Sequence, residues 1–284
     1  MPSNAAGAAF AGVAPEPGVP KPDPVLVVDG LHKAFGGVVA VDVEHLECQR
    51  SAITALIGPN GAGKTTMFNL VTDFERADRG RWSFDGRSLE GMLAYEVPRT
   101  GLMRTFQLTK ALARMPVLDN MKLAAPDQRG ERLRDCLLRP RWAAQERAVE
   151  KRALGLLERF NLDQMRAEYA GTLSGGQRKL LEMARALMAE PRMLLLDEPT
   201  AGVNPALVHS ILDHVRELRA DGMTILFVEH DMDVVMGISD WVVCMSEGAV
   251  IAEGPPASIA ENDSVIDAYL GTSRIEAVDV EGPG

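Results

Sequence analysis

Two glycine-rich segments of the sequence have the residue types that bind phosphate. The first, GPNGAGKTT at residues 58–66, follows an apolar stretch, precedes a helical pattern and fits the spacing G-x-x-x-x-G-K-[ST]. Glycines let successive backbone N–H groups surround a phosphate, the lysine reaches the phosphate oxygens, and the next hydroxyl can bind Mg²⁺. We predict nucleotide binding, with Thr65 as a metal ligand, by Gly58, Pro59, Asn60, Gly61, Ala62, Gly63, Lys64, Thr65 and Thr66.

The second segment, SGGQ at residues 174–177, opens a stretch whose apolar residues recur at helical spacing. The N-terminus of a helix presents N–H groups without intrahelical partners and the positive end of the helix dipole, so it favours an anion. We predict that Ser174, Gly175, Gly176 and Gln177 also contact a phosphate. One nucleotide on one chain needs only one such turn, which raises the question of what the second turn binds.

An acidic pair ends another apolar run, MLLLDE at residues 193–198. In open α/β sheets ligands bind beyond the carboxyl ends of the strands, so both side chains are expected beside the phosphate-binding turn. Asp197 is predicted to hold Mg²⁺, directly or through water, and Glu198 to polarise an attacking water molecule. The ordinary alternative is a solvated acidic pair at a strand end.

Three further residues are ambiguous on their own. His230 ends the apolar stretch MTILFVEH, so we expect it at the same edge as Asp197, where it could contact a terminal phosphate and position the catalytic carboxylate. Phe35, in KAFGG, could stack on a nucleotide base. Gln107, in RTFQLT, is a lone amide in a polar break. The ordinary alternatives are a structural histidine, a packed phenylalanine and an uninvolved amide.

The elements that must position these residues alternate between strand and helix patterns. The stretches at 52–57, 193–197 and 224–228 are apolar on both sides, as a parallel sheet covered by helices on both faces requires. Residues from about 90 to 172 instead contain helices rich in arginine, leucine and alanine. The sequence therefore predicts an α/β fold whose mostly parallel sheet core is interrupted by a helical insertion.

Composition narrows the class of protein. The 284 residues carry a net charge of −10, which argues against a nucleic-acid surface, and the longest apolar runs fall short of a membrane span. The separated thiols Cys48, Cys136 and Cys244 fit buried cysteines in a reducing compartment. Residues 1–24, rich in Ala, Gly and Pro, and residues 272–284 are predicted to be disordered or loose tails.

Four motifs in this order make residues 25–271 resemble the ATPase subunit of an ATP-binding cassette (ABC) transporter: the phosphate-binding motif, LSGGQ, LLLDE and EH. The resemblance implies a P-loop NTPase fold with a parallel sheet core, an antiparallel β subdomain and a helical subdomain. It implies ATP and Mg²⁺ as cofactors. Phe35 then matches the aromatic that stacks on adenine, Gln107 the glutamine that senses Mg²⁺ and water, and His230 the switch histidine.

The resemblance also accounts for the second turn. In this family two subunits pair head to tail, and Ser174–Gln177 of one chain covers the γ-phosphate held by Gly58–Thr66 of the other. The implied partners are a second copy or a paralogous ATPase subunit, polytopic permease subunits and, indirectly, a solute-binding protein. The implied location is the cytoplasmic face of the inner membrane, peripherally bound. Residues 108–121 are expected to dock a short helix of the permease.

Further segments narrow the subtype. In LDEPTAGVNP (196–205), Asn204 stands where many relatives have aspartate. The segment that begins VEHDM (228–232), followed by AYLG (268–271), resembles the ATPases of branched-chain amino acid importers. Urea and short-amide importers are related alternatives, and the ATPase of lipopolysaccharide export is a more distant one. The turn Ser174–Gln177, which matches the signature motif of the family, departs from the tyrosine-glycine version of that motif in many such importer subunits. The remaining alternatives are a soluble ABC ATPase that serves translation or DNA repair, a different kind of P-loop enzyme such as a small-molecule kinase or a GTPase, and a non-catalytic binding module.

Overall fold

Two β-sheets and their surrounding helices form the part of the chain that this computed structural model describes, residues 9–105, 112–126, 128 and 139–269. The strands are β1 (Pro24–Phe35), β2 (Val38–Gln49), β3 (Ile53–Ile57), β4 (Arg79–Phe84), β5 (Arg87–Ser88), β6 (Leu102–Arg104), β7 (Met193–Asp197), β8 (Thr224–Val228), β9 (Trp241–Ser246) and β10 (Ala249–Gly254). The helices are α1 (Lys64–Val71), α2 (Val117–Leu123), α3 (Arg139–Arg159), α4 (Gly175–Leu187), α5 (Pro205–Ala220), α6 (Met232–Ile238) and α7 (Pro256–Ala260). Residues 263–269 are also helical.

The larger sheet contains the strands that the sequence predicts to be buried. Its order is β10-β9-β3-β8-β7-β6, and only the pairing of β10 with β9 is antiparallel. Every residue of β3 and β8 is buried, because both faces of the sheet are covered. Leu56 and Asp197 both pair with Val228, so the carboxyl ends of β3, β7 and β8 lie at one edge. The predicted parallel core is therefore confirmed.

The smaller sheet is antiparallel, in the order β2-β1-β4-β5. Its buried residues Leu26 and Phe84 belong to one apolar cluster with Phe68 of α1 and Leu56 of β3. Helix α1, which begins directly after the glycine-rich turn, is thus packed into the core shared by both sheets. On the other face of the larger sheet, a second cluster joins Leu194 of β7 to residues of α3, α4 and α5.

The predicted start of the helical insertion, at about residue 90, is wrong. Leu102–Arg104 forms β6, which pairs in parallel with β7 through Leu102 and Met193 and so extends the larger sheet. Three residues are too few to reveal an alternating pattern, so the sequence carries no strand signal there. Within the later part of that region, α3 is one of the arginine-, leucine- and alanine-rich helices that the sequence predicts there.

The prediction that residues 1–24 form a disordered tail is wrong for residues 9–23, here named the N-terminal strap. The ring of Phe10 stacks on Trp241 with 4.7 Å between ring centroids, and Lys21 pairs with Glu253 at 2.9 Å. An averaged Ala, Gly and Pro composition hides these two anchoring side chains. Residues 1–8 and 270–284 lie outside the described residues.

Among the described residues, no helix combines the length and the hydropathy needed to span a bilayer.

Candidate active site

The glycine-rich turn between β3 and α1, residues 58–63, is here called the phosphate loop. Gly58 has a φ of 146° and Gly63 a φ of 97°, which glycine adopts readily. A Cβ atom at Gly58 would lie 2.1 Å from the carbonyl oxygen of Met245, and one at Gly63 would lie 2.2 Å from that of Ala40. Packing against β9 and β2 therefore requires both glycines, independently of any phosphate.

Lys64 is the first residue of α1, and its ammonium group lies inside the phosphate loop. Nζ donates to the carbonyl oxygens of Gly58, at 2.6 Å, and Pro59, at 2.9 Å. Burial lowers the pKa of Lys64, and the charges of Glu198 and Asp197 partly oppose that shift. The lysine is thus held where phosphate oxygens could replace two backbone carbonyls as its acceptors.

Glu198 follows β7 in a backbone conformation that few non-glycine residues adopt, with a φ of 47°. Its N–H donates to the carbonyl of Val228 at 3.0 Å, and its own carbonyl accepts from Nζ of Lys179 at 3.1 Å. These two bonds fix the backbone and leave the carboxylate 41% exposed, with Oε1 at 2.6 Å from Nε2 of His230. The predicted meeting of Glu198 and His230 at one sheet edge is confirmed, whereas their catalytic roles stay predictions.

Glu229, between β8 and His230, is a buried carboxylate that the sequence reasoning left without a role. Its Oε1 accepts from both the N–H and the hydroxyl of Thr200, and its Oε2 accepts from the N–H of His230 at 3.2 Å. The side chain therefore ties the turn after Glu198 to the end of β8. Glu229 belongs to the EH pair of the sequence, but no sequence pattern identifies Thr200 as its partner.

Asp197, the last residue of β7, is bound by an arginine that the sequence reasoning also missed. Arg104 of β6 donates from Nη2 to Oδ2 of Asp197 at 2.8 Å and from Nη1 to Oδ1 of Asn69 at 2.6 Å. The Arg104 side chain is 8% exposed and that of Asp197 26%. A single arginine at the end of a three-residue strand has no sequence signal that distinguishes it.

Arg104, Asp197 and Glu198 help to line a cavity of about 360 Å³ at the carboxyl edge of the larger sheet. The lining residues are Thr65, Arg104, Thr105, Lys179, Glu182, Asp197 and Glu198. Hydroxyl and carboxylate oxygens are the ligands that Mg²⁺ prefers. The described residues contain no group of three or more His, Cys, Asp or Glu side chains that could hold a metal alone. Thr65 and Asp197 therefore fit an ion that takes its remaining ligands from water and phosphate.

The second predicted turn, Ser174–Gln177, is here called the signature turn and begins α4. Ser174 caps the helix: its hydroxyl accepts from the N–H of Gln177 at 3.3 Å, and its own N–H donates to the Gln177 side chain at 2.9 Å. A Cβ at Gly176 would lie 2.6 Å from a methyl group of Leu207, so glycine allows α4 to approach α5. The predicted helix start is confirmed.

The structure does not bring the signature turn to the phosphate loop of the same chain. No hydrogen bond or ion pair between described residues joins the two turns. Phe35, at the end of β1, is 48% exposed, and Nζ of Lys33 lies over its ring at 5.1 Å from the centroid, so a stacking base would have to use the opposite face. Gln107 lies outside the described residues.

Tyr269 supports the phosphate loop from the C-terminal side of the chain. Its hydroxyl oxygen accepts from the N–H of Gly58 at 2.9 Å, and burial raises the pKa of the phenol. The sequence reasoning used AYLG only as a family pattern, because nothing local predicts a contact between residues so far apart.

Two family models match the chain. The model described as ABC transporter matches residues 41–201, and the model described as Branched-chain amino acid ATP-binding cassette transporter matches residues 249–274. The first match spans the phosphate loop, the signature turn and both acidic residues. The second includes β10, α7 and Tyr269.

Similar proteins cover nearly the same length. The Archaeoglobus fulgidus protein named Probable branched-chain amino acid transport ATP-binding protein LivG is 41% identical over 252 residues, which are 89% of this chain and 97% of that protein. The Pseudomonas aeruginosa protein named High-affinity branched-chain amino acid transport ATP-binding protein BraF is 38% identical over 250 residues, 87% of this chain and 98% of that protein. A crystal structure titled as the ADP conformation of an ATP-binding cassette of an ABC transporter superposes with a TM-score of 0.77 and 36% identity, covering 87% of this chain and 99% of the other.

Proposed function

This chain belongs to the ABC transporter family as an ATP-hydrolysing subunit, and we propose that it drives uptake of branched-chain amino acids. It acts as a dimer, with a second copy or a paralogous ATPase subunit, at the cytoplasmic face of the membrane. Polytopic permease subunits bind it there and receive solute from a solute-binding protein. The match at residues 249–274 and the names of the similar proteins support this class of solute.

The observation that carries the dimer is the separation of the two phosphate-binding turns. No hydrogen bond or ion pair between described residues joins the two turns, although the signature turn opens a capped helix, whose N-terminus favours an anion. Pairing two chains head to tail gives each signature turn a γ-phosphate to contact and completes each cavity. A lone chain leaves the γ-phosphate facing water and short of donors.

Each functional side chain at the carboxyl edge of the larger sheet has one task in the proposed mechanism. Lys64 exchanges its two loop carbonyls for phosphate oxygens and so binds the nucleotide. Glu198 accepts a hydrogen bond from the attacking water and takes its proton, while His230 holds that carboxylate in place. Mg²⁺, when bound by Thr65 and Asp197, supplies positive charge to the phosphate oxygens. Gln107 is assigned to the same metal and water, and Phe35 to the adenine.

An apolar surface beside the helical region is the proposed contact for the permease. Tyr169 pairs with Pro116 in an isolated bridge and is 57% exposed, and Leu123 at the end of α2 is 52% exposed. Both lie next to the segment 108–121, whose described part begins at Leu112. A short cytoplasmic helix of the permease could cover these side chains.

The dimer is tested with Glu198→Gln, which keeps nucleotide binding and removes the group that activates water. With ATP and Mg²⁺ this variant is expected to have twice the monomer mass by light scattering. The matched control adds Ser174→Arg, whose side chain blocks the signature turn, and is expected to stay monomeric. Dimers in both variants, or monomers in both, would contradict pairing through the signature turn.

The solute is tested by uptake into vesicles that contain the chain with its permease subunits and solute-binding protein. ATP-dependent uptake of leucine is expected, and the same vesicles with Glu198→Gln are expected to take up none. Uptake of urea or short amides in place of leucine would overturn the solute assignment and leave the ATPase assignment intact.

A further inference from the structure

Arg104 connects the two elements, β7 and α1, that carry the side chains proposed to hold the metal. On one side its guanidinium donates to Oδ2 of Asp197, and on the other it donates to Oδ1 of Asn69. Asn69 lies four residues after Thr65 on α1, so both belong to the same face of that helix. One planar group thus bridges the strand that carries Asp197 and the helix that carries Thr65.

The surroundings of Arg104 keep this bridge in one geometry. Its side chain is 8% exposed, and its guanidinium carbon lies 5.6 Å from the ring centroid of Phe68. The guanidinium has donors in a rigid fork, which can bond two acceptors in fixed directions. Strand β6 is also hydrogen-bonded to β7, with Arg104 opposite Leu195, so the arginine cannot shift along the sheet independently of Asp197.

The bond to Arg104 uses only one of the two carboxylate oxygens of Asp197. Among the described residues no hydrogen bond reaches Oδ1 of Asp197, and Asp197 lines the cavity with Thr65. A residue that hydrogen-bonds to a metal ligand without contacting the metal orients that ligand, and its loss typically lowers metal affinity about 10–100-fold.

We propose that Arg104 is a positioning residue for the metal: it fixes the Asp197 carboxylate relative to Thr65, so that the ion meets both ligands at a set separation. The inference rests on the proposed Mg²⁺ role of Thr65 and Asp197. A competing role predicts the opposite result. If Arg104 merely occupied the place of the cation, its removal would make Mg²⁺ bind more tightly.

The test measures how much Mg²⁺ is needed for tight ATP binding. A Glu198→Gln/Ser174→Arg background prevents both hydrolysis and dimer formation, and ATP affinity is followed by fluorescence titration at increasing Mg²⁺ and in EDTA. For Arg104→Met the half-saturating Mg²⁺ concentration is expected to rise about 10–100-fold, whereas affinity in EDTA stays unchanged. Mn²⁺ binding to the ATP-loaded protein, followed by electron paramagnetic resonance, is expected to weaken by a similar factor.

Two milder variants protect the test against a folding defect of Arg104→Met. Asn69→Ala keeps the pair with Asp197 but removes the link to α1, so a smaller rise in the same direction is expected. Arg104→Lys keeps the positive charge but lacks the forked donors of the guanidinium. Its half-saturating Mg²⁺ concentration should therefore lie between those of the parent and of Arg104→Met. Arg87→Met, at an exposed position of β5, is the matched control and should behave as the parent.

An unchanged or lower Mg²⁺ requirement in the folded variants overturns the role of Arg104. If ATP binding to the parent protein does not respond to Mg²⁺ at all, the metal role of Asp197 fails, and the inference fails with it.

Discussion

Two regions of the molecule each contain a buried lysine close to carboxylates, and they differ in what the lysine contacts. In the phosphate loop, Lys64 donates to backbone carbonyls, while the nearby Asp197 and Glu198 side chains are 26% and 41% exposed. Under the N-terminal strap, Lys21 donates to Glu253, and neither side chain is more than 1% exposed. A ligand can replace the partners of Lys64, whereas water and ligands are excluded from Lys21.

The cluster around Glu253 is a closed network. Its carboxylate accepts from the N–H of Val19 at 3.0 Å, from Nζ of Lys21 at 2.9 Å and from the indole N–H of Trp241 at 2.8 Å. A buried carboxylate is tolerated when it is paired and hydrogen-bonded in this way. A buried charge by itself therefore does not mark an active site. What marks the site here is a set of polar groups whose partners can be exchanged.

The largest effect that separates the two regions is expected for Glu198→Gln. Hydrolysis should fall about 10²–10⁴-fold, because the group that accepts the proton of water is lost. The free energy of unfolding should change by less than about 0.5 kcal/mol, because the side chain is exposed and glutamine keeps its shape. Steady-state hydrolysis and urea unfolding measure the two quantities. A normal hydrolysis rate would show that Glu198 does not activate water.

The converse is expected for Lys21→Met, which leaves Glu253 buried without its cation. The free energy of unfolding should fall by about 3–5 kcal/mol, as when one partner of a buried pair is removed. Hydrolysis per folded molecule should be unchanged, because Lys21 contacts none of the groups around the 360 Å³ cavity. Urea unfolding and hydrolysis assays measure both.

Lys151→Met, at an exposed position of α3, is the matched control for Lys21→Met and should change stability by less than about 0.5 kcal/mol. A strap that is only loosely attached would make both variants equally stable. That result would remove the contrast between the two regions.

The smallest expected effect is a loss of stability at alkaline pH, and it is common to both regions. Burial raises the pKa of Cys48, beside Lys21, to about 12 and that of Cys244, beside Lys64, to about 11. The unfolded thiols lose their protons from about pH 9 while the folded ones keep them, so stability is present below that pH and is lost above it. Between pH 8 and pH 10 each thiol should remove about 1 kcal/mol from the free energy of unfolding.

Urea unfolding at the two pH values measures that loss. Cys48→Ala and Cys244→Ala should each reduce the alkaline loss by a similar amount. A pH dependence that disappears with only one of them would mean that the two regions bury their thiols differently.

Local patterns were sufficient for much of the fold and for part of the site. The phosphate loop, the start of α4 at Ser174 and the pairing of Glu198 with His230 follow from short motifs and from the ends of apolar strands. Each of these features depends on residues within one element or on the shared edge of a parallel sheet. For the same reason the parallel core was predictable.

The remaining site residues are defined by contacts between distant parts of the chain. Arg104 and Asp197 are 93 residues apart, Gly58 and Tyr269 are 211 apart, and Lys21 and Glu253 are 232 apart. A periodic pattern describes one element at a time, so it cannot identify such partners. The strap was missed because its composition resembles that of a flexible tail, and two side chains decide its placement.

The left-handed backbone of Glu198 has a consequence for laboratory evolution. A non-glycine residue in this conformation costs about 1 kcal/mol or more, and glycine avoids the steric part of that cost. Selection for heat resistance alone would therefore tolerate replacements at position 198 that relax the main chain and abolish turnover. A library improved for thermal tolerance has to be screened for hydrolysis in the same round, or inactive proteins will accumulate among its survivors.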